Sequence, residues 1–366
     1  MLASLLSATL ALAAAAPLSA PAAPSAPVEA LQILPAEQIM QVPPELSRLF
    51  REQVRDRSRL ARSEGLQDLA DFLFKPEGLG LRYRHDASHS VAEVYASREA
   101  NCLGFTLLVV ALAREAGLEA YAQEIRDTLT WRREGETVFR TQHINAGIRL
   151  GVRRFTIDVA ADEVLARDPP EPISDARLLA HYYNNHAAER LADGALDEAL
   201  RLVDEALRQD PSLAAALSNR GVILARRGED DAAERAYRGA LAVDAQHAGA
   251  LTNLAQLLRR QQREGEARQL QRQLERIQLI DPFHHFLLAM NAEGEGDLSR
   301  ALRHYRRAIR LHRHEHRFFF GLARVHLLRG EFERAGQALE LARDLSQGAT
   351  QHQYQAKLER LRGPRA

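Results

Sequence analysis

Apolar and polar positions change their period several times along this chain, and each change predicts a different element. From Pro44 to Arg62 isolated apolar residues recur among many charges, the pattern of an exposed helix. Leu66 to Phe74 predicts a second, short helix closed by Pro76. GLGLRY and HDAS, between Gly78 and Ser88, read as loop or short strand, and Ser90 to Arg98 as another helix. Leu103 to Leu112 is nearly all apolar, which predicts a buried helix. Asn101 is a favoured N-cap before it and Gly117 suits its left-handed C-terminus, so Cys102 falls on the first turn. Downstream the period becomes two. LEAYAQEI, TVFRTQHINAGIRL and RRFTIDVA predict strands, the last two joined at Gly151-Val152 in a type II′ turn. RDPPEPISD, from Arg167 to Asp175, fits no helix interior or central strand and predicts a proline-rich linker over 169–178.

The remainder is periodic on a longer scale. Ala199, Ala233, Ala267, Ala301 and Ala335 are spaced by 34 residues. Five positions before them stand Gly194, Gly228, Gln262, Gly296 and Gly330. Two further columns hold Ala187, Gly221, Ala255, Ala289 and Ala323, and Ala206, Ala240, Leu274, Ala308 and Ala342. Small residues in register let paired helices approach closely, and glycine makes the turn between them. This register resembles the tetratricopeptide repeat, in five units over 179–366. The resemblance implies an all-α solenoid whose concave face binds a protein or peptide partner. Gln262 and Leu274 make the middle repeat the weakest, so local distortion is expected there. The arginine-rich stretch ALRHYRRAIRLHRHEHR reads as a solvated face or as a seat for an acidic ligand.

Composition narrows the field. At 366 residues two domains are expected, and 49 basic against 49 acidic side chains remove the electrostatic case for nucleic acid. The uncharged run at residues 1–16 and the Ala/Pro segment after it predict a signal peptide or Ala/Pro leader over 1–30, and a periplasmic or secreted protein. The run is too short for a stable membrane span. One cysteine, Cys102, excludes an intramolecular disulfide and a Cys-rich zinc site.

A cysteine at a helix N-terminus faces unpaired backbone N–H groups and the positive end of the dipole, which favour the thiolate. Pairing about a Gly151-Val152 turn sets Asp158 opposite Asn145, with His143 its diagonal neighbour on the same sheet face. A Leu150-Gly151 turn would set His143 directly opposite Asp158. Either geometry suits a relay in which histidine takes the thiol proton and aspartate fixes its tautomer. NCLGFTLLVVALAREAGLEA, HINAGI and FTIDV together resemble the transglutaminase-like superfamily of papain-type cysteine enzymes, over about Arg98 to Val159. The resemblance implies an α+β papain/transglutaminase-like domain over 31–168, with helices, a small antiparallel sheet and Cys102, His143 and Asp158 as catalytic residues. It implies acyl transfer, or amide or peptide hydrolysis, without metal or organic cofactor.

By papain-like analogy the Cys102 backbone N–H is one oxyanion donor, and Tyr95 or Gln123 are candidates for a second. Three readings follow: a transglutaminase-like cysteine peptidase or acyltransferase, an inactive domain serving a repeat scaffold, and a redox sensor using Cys102 alone. Other clusters rank lower. His312, His314 and His316 fall at a helix end and loop by repeat phasing, His85 and His89 flank a turn, and His284-His285 lie at a loop or helix start. Gly78 and Gly80 make a turn, and no phosphate-cradling glycine loop is present.

Overall fold

The front elements of the chain are short. In the computed structural model the described residues are 33–54, 63–125, 128–130, 133–134, 137–138, 143–159, 164–166 and 169–362. The leader expected over 1–30 and part of the helix expected to Arg62 lie outside them. Helices α1 (Ala36–Ile39), α2 (Pro44–Gln53) and α3 (Ser63–Phe74) come first, and α2 begins with proline at its first position, where no N–H is needed. A two-residue β1 (Arg82–Tyr83) pairs in parallel with β2 (Glu99–Ala100). Between them α4 (Val91–Ser97) opens with a capping box in which Ser90 and Glu93 satisfy each other's backbone N–H.

Helix α5 (Cys102–Glu115) is the centre of the front half. Leu103, Leu107, Leu108, Val109, Val110 and Leu112 are all buried, as an apolar run without a polar stripe requires. Its C-terminal turn is tied to α2, where Arg51 lies 2.8 Å from Glu115 and Ser47 also hydrogen-bonds to that carboxylate. Strand β3 (Glu119–Ile125) follows, then the short strands β4 (Thr128–Thr130), β5 (Arg133–Glu134) and β6 (Thr137–Val138), and then β7 (His143–Leu150) and β8 (Arg153–Ile157). β9 (Val164–Ala166) pairs with β4, and β5 with β6.

The main sheet has the antiparallel order β10-β3-β7-β8, with β10 at Glu171–Ile173. Gly151, at φ +60°, turns β7 into β8 with Leu150 opposite Arg153, the register expected of a Gly151-Val152 turn. The segment expected as linker is partly structured: Glu171–Ile173 pairs with β3, with Pro172 opposite Gln123. Proline is excluded from a central strand but not from an edge, where its missing N–H faces away from the ladder.

Ten helices then form five antiparallel pairs: α6 (Asp175–Ala192) with α7 (Leu196–Gln209), α8 (Ala214–Arg226) with α9 (Asp230–Val243), α10 (Ala248–Arg260) with α11 (Glu264–Ile280), α12 (Pro282–Gly294) with α13 (Leu298–Leu311), and α14 (His316–Leu328) with α15 (Phe332–Leu345). A last helix, α16 (Gly348–Arg362), covers the end of the array. The array begins a few residues earlier than its sequence register shows, because Ser174 caps α6 by accepting from the Arg177 N–H at 3.2 Å. The alanines of the first repeat column are all fully buried. Between repeats aromatic residues fill the layer: Phe283, Phe286, Tyr305 and Phe318 form one such cluster.

The middle repeat departs where expected. Gln262 occupies the left-handed position at φ +62° that Gly194, Gly228, Gly296 and Gly330 take in the other turns, a conformation disfavoured for a residue with a Cβ. Helix α11 runs on to Ile280, so that Asp281 serves both as its C-cap and as N-cap of α12. Leu279 and Ile280 are left exposed at its end. No described helix is long and apolar enough to cross a membrane.

Candidate functional site: a thiol, an imidazole and a carboxylate

The sulfur is placed by a helix start. Asn101, in extended conformation, accepts from the Gly104 N–H at 2.9 Å and so leaves Cys102 as the first helical residue. The amide of Asn101 is itself oriented, because its Nδ2 donates to Ser88 Oγ at 2.8 Å. The loop carrying Ser88 lies tight on this turn: a Cβ at position 104 would come within 3.2 Å of the Ala87 carbonyl oxygen, so only glycine fits comfortably there. Thr106, one turn on, points its hydroxyl at the Cys102 carbonyl at 2.7 Å and at the Ile144 carbonyl at 3.3 Å, joining α5 to β7.

The imidazole is placed by the sheet. His143 opens β7 opposite Ile125 of β3. Ala146 faces Ile157 in the neighbouring pair of strands, so Asn145 and Asp158 are the next positions along, and His143 shares their face by the two-residue pleat. His143 Nε2 lies 2.7 Å from Asp158 Oδ2, and Asn145 Nδ2 donates to the same oxygen at 3.1 Å. With Nε2 engaged by Asp158, Nδ1 is the ring nitrogen left to face Cys102, whose side chain favours the charged ring. The structure therefore brings Cys102, His143 and Asp158 together in that order.

Electrostatics follow from this arrangement. Burial works against a charged His143, but the hydrogen bonds and charges of Asp158 and Cys102 outweigh it and push the imidazole up to about 9. At neutral pH the ring is then an imidazolium. His143 is 1% exposed, whereas Cys102 is partly open, so an incoming group meets the sulfur first.

The remaining expected residues are placed as follows. Gln123 is buried on the face shared with His143, and its Oε1 accepts from Thr156 Oγ1 at 3.2 Å, which leaves the amide N–H₂ as its donor end. Tyr95 lies on α4 under the Arg98 guanidinium, 4.4 Å from its centroid. His89 is tied to the Glu99 carbonyl and His316 to the Tyr354 hydroxyl. Among the described residues no group of three or more His, Cys, Asp or Glu could hold a metal. Sequence reasoning put Asn145 opposite Asp158 but gave it no part in holding the carboxylate. It missed Thr106 and Ser88 altogether: Thr106 was visible only as a hydroxyl four residues after Cys102, and Ser88 carried no signal.

A tetratricopeptide-repeat profile matches residues 184–238, 230–278 and 286–350. Several solved structures are similar. YrrB, a tetratricopeptide-repeat protein with an unusual peptide-binding site, is 22% identical over 49% of this chain and 92% of its own, with a TM-score of 0.26. PilF of Pseudomonas aeruginosa is 21% identical over 52% of this chain and 94% of its own, with a TM-score of 0.28. A thermophilic tetratricopeptide-repeat protein of Thermus thermophilus is 18% identical over 50% of this chain and 98% of its own, with a TM-score of 0.27. No curated protein matches the chain. The profile and the helical pairs together make the C-terminal part of the chain a tetratricopeptide-repeat array.

Proposed function

We propose that this is an exported thiol enzyme of the transglutaminase-like kind, with a domain over 31–168, whose repeat array binds a protein or peptide partner. The observation that carries the reading is the chain of contacts from Cys102 through His143 to Asp158, built on a helix start and two adjacent strands. Cys102 Sγ attacks the carbonyl carbon of a carboxamide or peptide. The C–N bond breaks, and the leaving nitrogen takes its proton from the His143 imidazolium. Water then attacks the thioester, giving a hydrolase, or an amine attacks it, giving a crosslink; in both cases His143 accepts the proton of the second nucleophile. Asp158 keeps the ring oriented, and Asn145 keeps Asp158 in place. The Cys102 backbone N–H, at the start of α5, suits the developing oxyanion. Export rests on the uncharged, Leu/Ala-rich beginning of the sequence.

The decisive measurement is the rate of Cys102 alkylation by iodoacetamide as a function of pH. Wild type is expected to react well below pH 8, and His143→Ala to lose about tenfold or more in rate at pH 6. Equal rates in the two proteins across the whole range would sink the enzyme reading. A second reading, an inactive front domain that serves a scaffold, is favoured by the burial of His143 and by an Asp158 side chain only 11% exposed. It predicts reaction only at the pH of an ordinary thiol and no captured acyl-enzyme. Under the first reading, a Cys102→Ala variant purified from the cell envelope retains its amide substrate.

A further inference from the structure

Cys102 stands on α5 and His143 on β7, so whatever holds the helix against the sheet sets the contact between sulfur and imidazole. Both sides are gripped by one element outside the front half, the first helix of the repeat array.

On the sulfur side the grip passes through Ser88. Its carbonyl oxygen lies 2.9 Å from His186 Nε2, and its hydroxyl lies 3.4 Å from Asn185 Nδ2, both on α6. The same hydroxyl accepts from the amide of Asn101, whose other end caps α5. Rotation of that amide would lose the cap, so Ser88 decides whether Cys102 stays at the head of an ordered turn. The His186 ring is fixed in turn by Glu189 Oε2, 2.9 Å from Nδ1, and by the Tyr182 ring, 4.5 Å between centroids.

The imidazole side is gripped through Glu124. This carboxylate is 1% exposed on β3, one residue before Ile125, the partner of His143. Arg177 Nε on α6 lies 2.8 Å from it, and the same guanidinium reaches Asp210 at the end of α7, also at 2.8 Å. His181 faces the carboxylate at 3.7 Å. Helix α6 thus touches the element below each half of the thiol centre.

We infer that Asn185 and His186 are positioning residues for Cys102, acting through Ser88 and Asn101, and that the first tetratricopeptide repeat is part of the thiol centre. The inference rests on the thiol reading above. One consequence is that a partner seated on the first two repeats, where Asn219 donates to Asn184 at 2.9 Å, acts directly on the helix that sets Cys102 reactivity.

The test is the pH profile of Cys102 alkylation in the full chain, with thermal unfolding measured alongside. His186→Ala and Ser88→Ala are expected to displace the profile to higher pH and to slow reaction at pH 6 several-fold, because each loosens the contact that orients the Asn101 cap. His186→Gln keeps a donor for the Ser88 carbonyl and is expected to restore the wild-type profile, which a merely structural defect would not predict. Should His186→Ala fail to fold, Asn185→Ala removes only a long hydrogen bond from a partly exposed side chain and reads the same profile. Wild-type profiles for His186→Ala, Ser88→Ala and Asn185→Ala, beside a displaced His143→Ala, would overturn the inference and leave the thiol reading standing. An undisplaced His143→Ala would instead remove the reading on which it rests.

Discussion

The repeat array and the thiol centre solve the same problem, holding helices in register, by opposite means. In the array each helix pair meets its neighbour through the same small residues, so Ala199, Ala233, Ala267, Ala301 and Ala335 are interchangeable in role. In the front half every important contact occurs once: Arg51 with Glu115, Thr106 between α5 and β7, Asn145 beside Asp158. Repetition spreads the cost of a defect over neighbours, whereas a unique contact has no substitute. The array even tolerates a residue in a disfavoured conformation at Gln262 without losing its 34-residue register.

The largest contrast should come from the two cores. Leu108→Ala, at a fully buried position of α5, is expected to cost about 3 kcal/mol. Hydrogen exchange should show lost protection in α5, the sheet and α6, with α12 to α15 little changed. Equal loss throughout would mean that the two regions do not differ as described.

The junction comes next. Burial holds His181 down to about 4, against the pull of Glu124. Such a ring must gain a proton on unfolding, so its contribution is complete above pH 6.5 and is lost as the pH falls towards 4. At pH 5 the penalty is about 2 kcal/mol. Thermal unfolding between pH 7 and pH 5 should therefore fall more steeply in wild type than in His181→Gln. His143 has the reverse sign: raised to about 9, it stabilises fully below pH 6.5 and loses that contribution as the pH rises through 9.

The smallest effect lies within the array. Gln262→Gly is expected to stabilise by about 0.5 to 1 kcal/mol, since glycine takes the left-handed turn without strain. Denaturant unfolding would read the gain, and the alkylation profile of Cys102 should stay where it is. A shift in that profile would mean that the middle repeat communicates with the sulfur.

What was legible in the sequence follows the same division. The array was readable because one physical requirement, close approach of paired helices, is written five times over. The helix bearing Cys102 was readable from Asn101 and an apolar run, and the alignment of His143 with Asp158 from the Gly151-Val152 turn, since a two-residue pleat carries register a long way. Other features depended on partners far apart in the chain. Pro172 stands in a strand because the sheet has an open edge at β3, which no local pattern announces. Ser88 joins Asn101 to Asn185 and His186 across nearly a hundred residues, and a lone serine in a loop gives no sign of it.

The short strand Glu171–Ile173 has a mechanical meaning. Only Ser174 separates it from Asp175, the first residue of α6, so no slack chain lies between the sheet and the array. Tension on the helical end of the molecule enters the sheet through β10 and its pairing with β3. A partner that pulls on the repeats is pulling on the strand beside β3, which in turn flanks the strand that carries the imidazole.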